Sequence, residues 1–176
     1  MKISSAWALA LGGWLTMSAQ AQSLDEAWHG RWSGGGTQLQ ISAKSFRVDR
    51  QNCRWVGAEP KRGFKGCVAY FSSTTSKAQL LDLTKERAAN INEFVKQKIY
   101  DASTAAAERQ SLAQTRALID RLGTGQIKTV VTQDSAYEGS GDCMSAYFED
   151  QGRVYMLLQC AGGDGGFGVT EMKKHK

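Results

Sequence analysis

The chain has 176 residues, a formal net charge of +5 and four cysteines. This length suits one domain with a sizeable core. The mild, scattered charge comes without an aromatic-basic motif, which excludes nucleic acid and favours acidic partners such as an anionic protein surface or envelope polymer.

Met1-Lys2 gives a short basic start, Ile3 to Met17 is apolar, and Ala19-Gln20-Ala21 fits a small-x-small cleavage site. The apolar run is shorter than the ~20 residues a membrane span needs. The expectation is a secretory signal over residues 1–21 and one domain over 22–176, periplasmic or secreted and not membrane-embedded. Loss of Lys2 would leave a charge of +4. An even cysteine count in an exported chain argues for two disulfides, and the absence of paired CxxC spacing argues against metal.

Ser23 to His29 suits a short helical turn, and Gly30-Arg31-Trp32 opens a first strand before the loop Ser33 to Gly36. Thr37 to Arg50 reads as a hairpin in which Ile41 faces Phe46 and Leu39 faces Val48, apolar on one side and polar on the other. Ala43-Lys44 is poor chemistry for a two-residue turn, so a four-residue loop in the same register is equally compatible. Cys53 to Val56 and Cys67 to Ser72 are strand-like and flank the basic loop Gly57 to Gly66, which carries Lys61, Arg62, Phe64 and Lys65. A Cys53–Cys67 bridge would close this loop at its base and present it as a stapled protrusion.

Residues 77–122 lack glycine and proline and are rich in Ala, Gln, Lys, Glu and Arg, which is helix composition. Apolar residues recurring at steps of three and four predict helices over about 84–100 and 103–122, with Asp101 or Ser103 as the second N-cap; one long helix is the alternative. Gly123-Thr124-Gly125 ends the helical segment and Ile127 to Thr132 returns to strand.

Cys143 to Asp150 and Arg153 to Cys160 are β-rich runs around Gln151-Gly152, a two-residue loop. Residues whose numbers sum to 303 then face each other: Asp150 with Arg153, Phe148 with Tyr155, Tyr147 with Met156, and Cys143 with Cys160. The cysteines fall on a non-hydrogen-bonded pair, where Cα atoms approach to ~4.5 Å, which suits a Cys143–Cys160 bridge. Phe167 to Met172 is a last strand and Lys173 to Lys176 a frayed basic tail. The expected fold class is α+β: an antiparallel, barrel-like or strongly curled sheet of about eight strands, with a two-helix insertion after the fifth; a helical pair packed on one sheet face is the competing reading.

Gly30-Arg31-Trp32 resembles the Gly-x-Trp signature of the lipocalin and wider calycin barrels. The resemblance implies that Trp32 plugs one barrel end and that Lys173 or Lys174, near the last strand, packs on it. It also implies a carrier for a small apolar ligand, with Trp32, Phe46, Trp55 and Tyr147 lining or plugging the cavity. Lipocalins place their helix after the eighth strand, whereas the helical segment here follows the fifth.

No catalytic constellation stands out. His29 has no free thiol to pair with, and no Gly-x-Ser-x-Gly elbow frames a serine. Asp142 and Asp164 flank the two hairpin cysteines, with Asp134 and Glu138 in the incoming loop; paired carboxylates suit contact with a partner, a cation or glycoside hydrolysis. The expected activity is non-enzymatic protein binding without a cofactor, as an inhibitor of, or immunity protein against, an envelope-targeting hydrolase. The chain would be a monomer or small oligomer, with Lys61, Arg62, Phe64 and Lys65 as one contact patch and Asp142 and Asp164 as another. A carrier and a small carboxylate-dependent hydrolase are the alternatives.

Overall fold

The computed structural model describes residues 23–137, 143–160 and 167–176. The expected signal, the glycine-rich segments around Gly139 and Gly163, and Glu138, Asp142 and Asp164 lie outside these residues.

Among the described residues, ten strands and two helices follow a 3-10 turn at Glu26–Trp28, and a second 3-10 turn, Ser135–Tyr137, follows the sixth strand. The strands are β1 (Gly30–Gly34), β2 (Thr37–Ile41), β3 (Ser45–Val48), β4 (Gln51–Ala58), β5 (Cys67–Ser76), β6 (Gln126–Asp134), β7 (Cys143–Asp150), β8 (Arg153–Cys160), β9 (Phe167–Glu171) and β10 (Lys173–His175). Helices α1 (Lys77–Lys96) and α2 (Ala102–Asp120) are inserted after β5, so the α+β class and the place of the insertion hold. The helices are two, because Lys98 turns the chain with a φ of 58° and Asp101 caps α2. Asp101 Oδ1 accepts from the Thr104 amide at 2.7 Å, and the Thr104 and Ser103 hydrogen bonds hold the carboxyl below its usual range. Helix α1 begins well before Thr84 because the Ser76 hydroxyl accepts from the Gln79 amide.

The strands number ten rather than about eight, and the sheet is mixed rather than all antiparallel. The tenth strand is the tail: Lys173–His175 pairs antiparallel with β1, Arg31 opposite His175 and Ser33 opposite Lys173. Three exposed polar residues carry no strand periodicity, which is why a frayed end was expected there. The sheet order is β10-β1-β2-β3-β4-β5-β6-β7-β8-β9. Its two edges, β9 and β10, are separated only by Met172, whose amide donates to Val154 O at 2.8 Å. One continuous segment therefore joins β8 on one side to β1 on the other, and the sheet curls into a nearly closed barrel.

The second correction is at β4 and β5, which run parallel. Parallel neighbours usually need a crossover of about a dozen residues, yet only residues 59–66 intervene. The register explains how they suffice. Ala58 lies beside Phe71 and Arg54 beside Val68. The connection therefore climbs back only about four strand residues, roughly 13 Å. The Cys53–Cys67 disulfide, with Cα atoms 4.4 Å apart, ties the two strands at the lower end of this crossover.

Turn chemistry sets the hairpin registers. Gly35 and Gly36, with φ of 57° and 80°, make a tight two-residue turn between Gly34 and Thr37, so the expected Ser33–Gly36 loop is mostly strand and turn. A Cβ on Gly35 would lie 2.5 Å from Met156 Cε, at the flexible end of that side chain, which would have to shift. Ser42 supplies what Ala43-Lys44 lacks: its hydroxyl accepts from the Lys44 and Ser45 amides, keeping Ile41 opposite Phe46. Gln151 and Gly152 both take positive φ, and every β7–β8 pair from Asp150–Arg153 to Cys143–Cys160 sits in the expected register. The Cys143 and Cys160 side chains lie outside what is described, so the register stands and the bond is not described. Arg153 faces Asp150 but bonds Glu171 at 3.2 Å, while Asp150 accepts from the Gly123 amide.

Two apolar clusters result. Inside the barrel, Trp28, Trp32, Leu39, Ile41, Phe46, Trp55, Tyr147, Val154 and Met172 pack together. Outside it, α1 and α2 contribute Leu80, Ile119 and Leu122 to a second cluster with Val68, Tyr70, Phe148, Tyr155, Leu157 and Val169. The helices thus cover the outer face of β5–β9, Val56 of β4 packs against the same outer cluster, and β10 and β1–β3 are left without a helical cover among the described residues.

Candidate functional site

The loop expected to protrude is the β4–β5 crossover, a strap along the barrel wall. Lys61, Arg62 and Lys65 are exposed, whereas Phe64 is half-buried against the outer cluster. Gly66 and Ser135 exchange two hydrogen bonds, the Gly66 amide to Ser135 Oγ at 2.9 Å and the Ser135 amide to Gly66 O at 3.1 Å. The disulfide, this bond pair and Phe64 fix the strap, and its three cations ride on it. Gly63 and Gly66 take φ of 86° and 73°, which lets the strap reverse within a short length.

The four aromatic residues expected to line a cavity do come together in the interior cluster. Phe46 is fully buried and lies 5.3 Å, ring to ring, from Tyr147, with Trp28 edge-on to it at 6.3 Å. Trp55 stacks edge-on to Phe71 at 5.0 Å. Burial, reinforced by the charge of Asp49, pushes the Tyr147 phenol up to about 12. Trp32 is 3% exposed, donates from Nε1 to Trp28 O at 3.0 Å, and carries the Lys174 ammonium 4.9 Å from its ring centroid. The contact implied by the lipocalin resemblance is therefore made, by Lys174 rather than Lys173.

The remaining candidates hold local structure. His29 Nε2 lies 3.1 Å from Leu24 O. Asp134 accepts from Gln51 Nε2 at 2.6 Å and from the Ala136 amide. Among the described residues no cluster of three or more His, Cys, Asp or Glu side chains is arranged to hold a metal, and no helix is long and apolar enough to cross a membrane; the latter says nothing of strands.

The outer face of β10 and β1–β4 is a site that motif reading missed. Strand alternation sends Arg31, Gln38, Gln40, Arg47, Asn52 and Arg54 outward while Trp32, Leu39, Ile41, Phe46 and Cys53 point in. The registers align His175, Arg31, Gln40, Arg47 and Asn52 in one row across five strands. A groove of about 450 Å³ follows this row from His175 to Arg47, lined by Arg31, Gln38, Gln40, Arg47, Asp49 and His175 among others. His175 Nε2 is 2.7 Å from Ser33 Oγ, and Asp49 Oδ1 accepts from the Gln38 amide at 2.8 Å. Among the described residues Arg31, Arg47, Arg54 and Lys173 enter none of the five ion pairs. The usable signal was there: basic residues at the outward positions of two successive hairpins.

The likeness to calycin barrels rests on Gly30-Arg31-Trp32, the Lys174 contact and the curled sheet. No family model, no curated protein and no solved structure matches this chain.

Proposed function

We propose that the chain is an exported, non-enzymatic binding protein that works by contact with another protein, as an inhibitor of, or an immunity protein against, an envelope-targeting hydrolase. The observation that carries this reading is the strap. Its cations Lys61, Arg62 and Lys65 are exposed on a backbone held at one end by a disulfide and beside it by Gly66–Ser135 and Phe64. A loop ordered in advance loses little entropy on docking, which favours tight contact from a small surface. A disulfide within the sheet also suits an oxidising compartment. Asp142 and Asp164 are kept as a second candidate patch.

The test is capture from envelope and secreted fractions with the disulfide-intact protein as bait, beside a Lys61→Ala, Arg62→Ala, Lys65→Ala variant. Recovery of one hydrolase by the parent and its loss with the variant is the expected result. Equal recovery by both removes the strap from the proposal.

The apolar-ligand carrier is the second reading, favoured by the gathering of Trp32, Phe46, Trp55 and Tyr147 inside the barrel. Native mass spectrometry of gently purified protein decides it: a co-purifying apolar molecule supports a carrier. The carboxylate-dependent hydrolase, with Asp142 and Asp164, stands third.

A further inference from the structure

The row His175–Arg31–Gln40–Arg47–Asn52 belongs neither to the strap nor to the barrel interior. Its residues point outward from strands whose inward neighbours are locked in the core, so the face is rigid without being part of the core. A stable sheet needs polar residues there, but not cations without a counter-charge; Arg47 Nε donates to the Asp49 carbonyl oxygen at 3.1 Å, which leaves its charge without a paired carboxylate. Arg31, Arg47, Arg54 and Lys173 stand on one continuous face with no carboxylate paired to them among the described residues. The acid that lines the groove, Asp49, is turned to the Gln38 amide at the groove's edge.

From this we infer that the groove across β10, β1, β2 and β3 binds an acidic segment of a partner protein, with Arg31 and Arg47 gripping its carboxylates. Charge complementarity selects an anion, and the guanidinium fork suits a carboxylate bound in two-point fashion. Two further features select a peptide over a continuous polyanion. Gln38 and Gln40 stand between and beside the arginines; their amides both donate and accept, as a peptide backbone requires and a phosphate chain does not. Asp49 lies in the same groove, where it would repel an unbroken run of negative charge but tolerate discrete acids. Arg31 and Arg47 lie two strands apart, a Cα spacing of roughly 10 Å, close to that of residues i and i+3 in an extended peptide. The groove thus gives the protein-contact reading a second surface, on the side of the barrel left bare by the helices.

The experiment titrates the full disulfide-bonded chain at low and at physiological salt with a short glutamate-rich peptide, its glutamine counterpart, and polyphosphate. Parent, an Arg31→Gln, Arg47→Gln variant and the strap triple-alanine variant are compared. Both arginines are exposed, and equal thermal midpoints of parent and double variant confirm that the fold is kept. The expected result is salt-sensitive binding of the glutamate peptide alone, weakened about tenfold in the double variant and unchanged in the strap variant. No peptide binding by the parent, equal binding by the double variant, or preference for polyphosphate each overturns the inference. Peptide binding depends on no captured partner. Failure here therefore leaves the strap proposal standing, and failure of the capture experiment leaves this groove standing.

Discussion

On β6–β8 successive residues are apolar on both faces: Val130-Val131, Tyr147-Phe148 and Tyr155-Met156-Leu157 are all buried. On β1–β3 buried apolar residues alternate with polar ones that are exposed or half-buried, as in Arg31 beside Trp32 and Arg47 beside Phe46. The first pattern is that of strands sandwiched between two layers, the second that of a wall with one wet side. The barrel is therefore two half-walls with different duties. One is packed by α1 and α2 and holds the fold; the other is held only from within and leaves its outer row to solvent.

The sharpest test of this division substitutes neighbours on one strand. Phe46→Ala removes a fully buried ring and should cost about 3–5 kcal/mol, whereas Arg47→Ala, one residue on and outward, should stay within about 0.5 kcal/mol. Denaturant melts of the two variants read the contrast directly; a large loss from Arg47→Ala would mean that the bare face is structural after all.

The disulfide sits on the seam between the half-walls, so its removal tests how far they stand alone. With a sequence separation of 14, Cys53→Ser with Cys67→Ser should cost about 3 kcal/mol, mostly through a freer unfolded chain. If proteolysis then nicks residues 59–66 first, the strap depends on the bond.

Tyr147 sharpens the comparison at high pH. Its phenol is raised from 10.0 to about 12 by burial and by Asp49. A group raised in the folded state protects fully below its unfolded value and loses that contribution as pH climbs through the folded one. Stability should therefore fall between pH 10 and 12, by about 2–3 kcal/mol for this group. Tyr70 and Tyr155, also raised by burial, act in the same direction. Melting curves of Tyr147→Phe across this range should decline less than the parent's.

The smallest effect is expected where the bare half meets Trp32. Lys174→Met keeps a stem over Trp32 but loses the cation, which should cost about 0.5–1 kcal/mol. A null result in a thermal melt would make the contact incidental.

Local chemistry made much of this legible from the chain. The β7–β8 register followed from a two-residue turn and matched pairs, and the β2–β3 hairpin from strict alternation, because both are set within some twenty residues. The double-sided runs at Val130-Val131 and Tyr155-Leu157 carry the pattern of strands covered on both faces, a signal that reading them simply as strands leaves unused. What escaped depends on which strands become neighbours. The parallel β4–β5 pair was hidden because cysteines bracketing a loop suggest an antiparallel base, and nothing local marks an eight-residue crossover. The cationic row was hidden because Arg31 and His175 meet only once the tail joins the sheet. Asp142 and Asp164 lie outside the described residues.

That tail sets a timetable for folding. The His175–Ser33 bond joins residues 142 apart in the chain, and loop closure over such a span is slow relative to the hairpins. β1 can rest against β2 early, but its other edge waits unpaired until Lys173–His175 have been made and delivered. Until that moment the barrel gapes beside Trp32, and the aromatic interior is open to water and to neighbours.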